Sequence, residues 1–355
     1  MRNFKNIRAF VDGKQVFCGI DVHEKHWVVC CVCDGEVVEK TKIRSNYAIL
    51  KHLLSNYSSA RKINSVYEAG FSGYWLCRKL RADGYSCTVT PPSLTPQTGS
   101  KVKTDKRDAQ QLALFLSACI LKSVTVPPED IEADRRIVRR RAQIVRDKKR
   151  AKHQFLSFLK LNGVERPESI KTNWSQKHLE WLKNLEFEQP ADNFTCKDLL
   201  KHYYRLVEDL TEVTRYLHEL AEGPNYVNNY KILTSLRGVG LITAMTFLLE
   251  IFDFGRFPTS GQFSSYLGMT PSQYSSGEHV RLGHITRYGS AELRRVLIES
   301  AWTVIRYDPH LRNKYERLRA RGTNGKKAIV AVARSLAVRL RRCLLDQTEY
   351  VIGVC

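Results

Sequence analysis

Residues 15–43 read QVFCGIDVHEKHWVVCCVCDGEVVEKTKI. Val, Ile and Cys dominate the run, and Asp34-Gly35 supplies a turn, so the pattern predicts two strands joined there. Working outward, residues 46–57 (NYAILKHLLSNY) predict a short amphipathic helix, and residues 63–70 (INSVYEAG) a strand ending at Gly70. Residues 72–85 (SGYWLCRKLRADGY) read as a helix stopped by Gly84. Residues 86–93 (SCTVTPPS) read as a strand ended by prolines. Strand and helix signals in alternation predict an α/β layer built around a sheet.

Asp21 stands inside the first apolar strand, where an ionised carboxylate is expensive unless something compensates it. Glu68 follows an apolar run at the end of a later strand, and open sheets place ligand groups at strand ends. Residues 101–116, KVKTDKRDAQQLALFL, set Asp105 and Asp108 three apart at the mouth of a helix-like run. Taken alone, Asp105 is a cap and Asp108 a first-turn acid that suits the helix dipole. Taken together, acids at i and i+3 share one helix face, and paired carboxylates are how a protein holds Mg²⁺. Four carboxylates of this kind could bind two divalent ions and align a phosphodiester with its nucleophile. Lys103, Lys106 and Arg107 would then face a nucleic-acid backbone rather than cancel the acids.

The chain has 355 residues, a formal net charge of +21 and 43% hydrophobic residues, enough for two or three domains with real cores. The charge comes in blocks. Residues 101–160 carry 16 Lys/Arg against 7 Asp/Glu, and residues 278–342 carry 16 against 5, whereas residues 161–227 carry 8 against 12. Two basic blocks around an acidic middle are the footprint of a polyanion binder, DNA or RNA. No apolar run is long enough to span a bilayer, and MRNFKNIRAFVDGKQ lacks an apolar signal core. Ten scattered cysteines read as reduced, mostly buried thiols, so a cytoplasmic, nucleoid-associated protein with no membrane partner is expected.

From residue 129 to 223 the chain reads as long helices, and Arg139 and Arg140, in an Arg-rich one, are candidate nucleic-acid contacts. Leu199, Tyr203, Leu206, Leu210, Val213, Leu217 and Leu220 are spaced 4, 3, 4, 3, 4, 3, a heptad seam. A seam of this kind predicts a coiled-coil or helical-hairpin dimer contact, or an amphipathic helix packed on its own domain. Residues 230–251, YKILTSLRGVGLITAMTFLLEI, read as a helix-hairpin-helix whose Gly238 and Gly240 let backbone N–H groups approach a phosphate. A tight turn without a ligand explains the same glycines. The remainder reads as short helices interrupted by a loop at 268–290.

GIDVHEKHWVVC (19–30), YEAGFSGYWL (67–76) and KTDKRDAQQLA (103–113) resemble the N-terminal RuvC-like, RNase H-like domain of the DEDD transposases of the IS110 insertion-sequence family. LTSLRGVGLITAMTFL (233–248) and residues 263–302 resemble that family's C-terminal transposase domain. The resemblance implies a RuvC-like DEDD domain at 1–127, a helical coiled-coil region at 128–224 and a mostly α-helical transposase domain at 225–355. It implies that Asp21, Glu68, Asp105 and Asp108 bind Mg²⁺ or Mn²⁺. It implies a serine nucleophile in PSQYSSGEHV (271–280), Ser276, with Ser275 and Tyr274 beside it as alternatives. The implied partners are donor and target DNA and a structured guide RNA bridging them. The implied assembly is a dimer that builds a tetramer, in which different protomers contribute to each half-site. Arg281 and Arg287 could clamp a phosphate, and His23 would tune the acidic site or pack beside it. A metal-dependent junction resolvase without a covalent intermediate, or a non-catalytic RNA- or DNA-binding protein, is the alternative.

Overall fold

The computed structural model describes residues 4–96, 105–276 and 279–352. The chain divides into two compact units, Met1–Val126 and Pro127–Cys355.

The first unit runs α1 (Phe4–Val11), β1 (Gln15–Val22), β2 (His26–Cys33), β3 (Glu36–Arg44), α2 (Tyr47–Ser55), β4 (Lys62–Glu68), α3 (Trp75–Ala82), β5 (Ser86–Thr90) and α4 (Asp105–Ser117). Its sheet has the order β3-β2-β1-β4-β5. β1–β2 and β2–β3 pair antiparallel, while β1–β4 and β4–β5 pair parallel. The stretch expected to form two strands therefore forms three. The unforeseen turn, His23–Lys25, carries no Gly, Pro or Asn; it is closed by His23 N–H donating to the His26 carbonyl at 3.1 Å.

The sheet is covered on both faces. Cys18, Ile20, Val29, Cys31 and Cys33 pack in one core with Leu50, Leu54, Leu76 and Leu80 of α2 and α3. Val28, Cys30 and Val32 face Ala109 and Ala113 of α4. Cys30 and Cys33 stand three apart, yet strand alternation puts them on opposite faces, so they make no metal-binding pair.

The second unit holds α5 (Glu129–Leu161), α6 (Gln176–Lys183), α7 (Pro190–Glu222), α8 (Val227–Thr234), α9 (Leu241–Ile251), α10 (Ser260–Tyr266), β6 (Pro271–Ser276), β7 (His279–Ile285), α11 (Ala291–Val304), α12 (Pro309–Ala320) and α13 (Gly325–Asp346). It is mostly helical. α5 and α7 run antiparallel: Phe155 and Leu159 pack with Cys196, Leu200 and Tyr203; Ile144 and Ala151 with Leu206; Val138 with Leu217 and Ala221. The buried positions of the α7 seam, Tyr203, Leu206 and Leu217, thus pack against α5 of the same chain, while Leu199, Leu210, Val213 and Leu220 stay half-buried. The main core of this unit draws on α5 and α7 as well as on α8, α9, α11 and α13. Two further differences from the sequence reading stand here. The expected loop at 268–290 contains the β6–β7 hairpin. The last helix, α13, spans 22 residues rather than being short.

Candidate metal centre and nucleic-acid interface

The site grows from one register. β1 and β4 pair in parallel with Ile20 opposite Tyr67, so Asp21 and Glu68 come one step later, side by side at the carboxyl ends of two central strands. Asp21 shares its face with Gly19. A Cβ on Gly19 would stand 2.0 Å from the Ala109 carbonyl oxygen and 2.6 Å from the Ala113 nitrogen, so α4 lies directly on the bare backbone of β1. That contact sets the first turn of α4, with Asp105 and Asp108, at the same end of the sheet.

The electrostatics reflect the crowding. Burial, opposed by His23, raises the Asp21 pKa above the ordinary carboxylate value, and the charges of Asp105 and Asp108 add to the rise. His23 Nε2 stands 3.0 Å from Asp21 Oδ2 and 3.5 Å from Asp105 Oδ2. His26 Nε2 stands 3.6 Å from the same Asp105 oxygen, too far for a hydrogen bond, and is shielded from solvent without a hydrogen-bond partner. Burial works against the Asp105 carboxylate, but its contact with His26 and the charge of His23 outweigh it and hold its pKa below the usual value. Asp108 and Glu68 are half-buried.

These groups fit a divalent cation. Ligand atoms of His23, His26 and Asp105 lie within 4.8 Å of one another, and a cation there would offset the nearby charges of Asp105 and Asp108 that add to the burial-driven rise of Asp21. The sequence reading found the acids but gave His26 no role and His23 only a secondary one. His-Glu-Lys-His after an acid was the available signal, masked because His23–Lys25 looked like the middle of a strand.

The basic candidates disperse. Lys103 lies outside the described residues. Lys106 and Arg107 are in the first turn of α4, and Arg107 is exposed. Arg140 is exposed on α5. Arg139 forms a two-bond fork on Glu250, Nε to Oε1 at 2.8 Å and Nη2 to Oε2 at 2.9 Å. Glu250 is buried, so Arg139 has a structural task independent of nucleic acid. Gly238 has φ +111°, and a Cβ there would meet Val304 Cγ2 at 2.9 Å, so packing against α11 requires the glycine. Gly240 precedes α9, and a Cβ there would meet nothing within 4 Å. Ser276 ends β6 opposite His279, with Ser275 opposite Val280 and Tyr274 opposite Arg281. Arg281 and Arg287 are exposed.

Two family models match this chain. One, described as "Transposase IS116/IS110/IS902 family", matches residues 230–316. The other, a DEDD transposase model of the IS110 type, matches residues 18–162. The chain is similar to the transposase-class protein y4qE of Sinorhizobium fredii, 31% identical, with 93% of this chain and 88% of that protein covered. It is similar to the transposase for insertion sequence element IS1533 of Leptospira borgpetersenii, 29% identical over 93% of this chain and 95% of the relative. The transposase for IS1111A of Coxiella burnetii is 25% identical, over 99% and 93% respectively.

Proposed function

Because this chain belongs to the IS116/IS110/IS902 family of insertion-sequence transposases, and is thereby a DNA transposase, we propose that Asp21, Glu68, Asp105 and Asp108 hold the divalent ions with which it cuts and rejoins DNA. The observation that carries this reading is the crowding of Asp21 with Asp105 and Asp108, at the strand ends where Gly19 lets α4 descend. The first unit is then a RuvC-like nuclease domain. Mg²⁺ or Mn²⁺ would withdraw charge from a phosphodiester and steady the leaving oxygen. The protein's own part is to hold the acids in register, with His23 keeping Asp21 oriented through its 3.0 Å contact.

In the second unit Ser276 is the nucleophile of this proposal, at the end of β6 in the β6–β7 hairpin. A serine hydroxyl is weak unless assisted, and Arg281 and Arg287 supply positive charge on the same hairpin and its exit. α8 and α9 act as a helix-hairpin-helix that approaches a strand phosphate through the open backbone at Gly240. The basic blocks accommodate donor and target DNA and a guide RNA that pairs with both, and the working assembly is a dimer that builds a tetramer, with different protomers contributing to each half-site.

The test of the metal reading is Asp105→Asn. Strand cleavage with Mg²⁺ should fall by several orders of magnitude while DNA binding stays within about twofold, because phosphate contacts are many and the ligand is one. Cleavage at the wild-type rate would remove Asp105 from the metal site.

A further inference from the structure

A cavity of about 430 Å³ opens among α10, α12 and α13 of the second unit. Lys314, Arg334 and Arg339 line it together with the hydroxyl-bearing Ser260 and Ser335. The charges there do not balance. The neighbouring acid, Asp308, is fully buried. It caps α12 by accepting from the N–H groups of His310 at 2.8 Å and Leu311 at 3.1 Å. It also accepts from Arg339 at 3.0 Å and from the Tyr350 hydroxyl. Among the described residues, Arg339 is therefore the cation that Asp308 neutralises.

Lys314 and Arg334 remain. The Lys314 ammonium is half-buried and donates to the Ser335 hydroxyl. Burial first, and then the charges of Arg334, Arg317 and Arg339, hold its pKa below the usual lysine value. Among the described residues, neither Lys314 nor Arg334 is paired with a carboxylate. Two cations on the wall of one cavity, with the Ser335 hydroxyl beside them already donating to the Ala331 carbonyl, are unfavourable without an anion and well suited to one. The volume falls within the range of small-ligand pockets and exceeds what a bare anion needs. Leu311 and Val338 add an apolar wall, and His310 an aromatic one.

We propose that this cavity binds a nucleotide phosphate ester, with the phosphate on Lys314 and Arg334 and the nucleoside against Leu311 and Val338. Thr270, which directly precedes β6, also lines the cavity, whereas none of the four acids proposed to hold metal does. Its ligand has two sources of the same chemistry: one nucleotide of a strand seated in the pocket, or a free mononucleotide.

The test measures binding of dAMP and of a single-stranded ten-nucleotide DNA to the full chain by calorimetry. The variants are Lys314→Met, Arg334→Gln and the two combined, with Lys326→Ala as an exposed control on α13 outside the cavity. The combined variant should bind the oligonucleotide at least about tenfold more weakly, and its salt slope should fall by about 1 for each cation removed. Loss confined to the oligonucleotide assigns the site to a strand phosphate, and loss on both probes to a ligand of mononucleotide size. If the combined variant unfolds, Arg334→Gln alone carries the test, with Arg334→Lys expected to recover most of the affinity. Affinities for both probes no lower than in Lys326→Ala, at unchanged thermal stability, would overturn the proposal. None of these readouts depends on metal ions or on strand cleavage, so this outcome and that of Asp105→Asn are independent.

Discussion

A hydrogen atom in place of a methyl at Gly19 sets where the acids of α4 stand. Gly19→Ala would drive a Cβ to within 2.0 Å of the Ala109 carbonyl oxygen, and helix α4 would have to lift from β1. Overpacking of this kind costs about 1–3 kcal/mol, readable as a lower urea midpoint. Cleavage should fall further than stability does, because Asp105 and Asp108 move with the helix. A variant with wild-type midpoint and activity would show that α4 is free to lift. A lone glycine inside a strand pattern is itself a sign of close backbone approach, so this position was legible, though which backbone approaches it was not. The acids were legible for a similar reason: an acid inside or ending an apolar run conflicts with its surroundings unless it has a task. His26 was missed, since the His-Glu-Lys-His run looked like the middle of a strand rather than a turn beside an acid.

Among the elements, the α7 seam shows what periodicity can and cannot tell. A 4-3 repeat marks an apolar stripe and is silent on what covers it; here α5 of the same chain does, through Ile144, Ala151 and Val138. Leu217 is fully buried in that contact, so Leu217→Ala should destabilise the chain by about 2–5 kcal/mol. Leu206→Glu should lower the unfolding midpoint by the same amount at low and high protein concentration, because the contact is intramolecular. A loss that grows on dilution would return the seam to an interface between copies. The two hairpins missed from sequence have a common cause. The turn of the first is His-Glu-Lys and β6 of the second is Pro-Ser-Gln-Tyr-Ser-Ser, so neither a turn residue in the first nor apolar alternation in β6 announces them, and long-range pairing supplies what propensity lacks.

For the whole molecule, the charge blocks and the two-part organisation carry the function. A mixed α/β unit precedes a mostly helical one, and no helix among the described residues is long and apolar enough to cross a membrane. With 57 Lys/Arg against 36 Asp/Glu, affinity for DNA should fall steeply as salt rises, linearly in log–log form. A flat salt dependence would count against a phosphate-dominated interface. The order of the sequence motifs already pointed to a transposase, because acids, Gly-Val-Gly turn and serine loop come from separate parts of the chain and must agree. What a sequence cannot carry is the covalent chemistry, and one measurement addresses it directly. End-labelled DNA bearing the element's ends, incubated with protein and Mg²⁺, is run on a denaturing gel. The wild-type chain should give a band shifted by covalently attached protein, Ser276→Ala and Asp105→Asn should give none while still binding DNA, and Ser275→Ala should retain it. DNA cut by the wild-type chain with no adduct, or an adduct that persists in Ser276→Ala, would contradict the account.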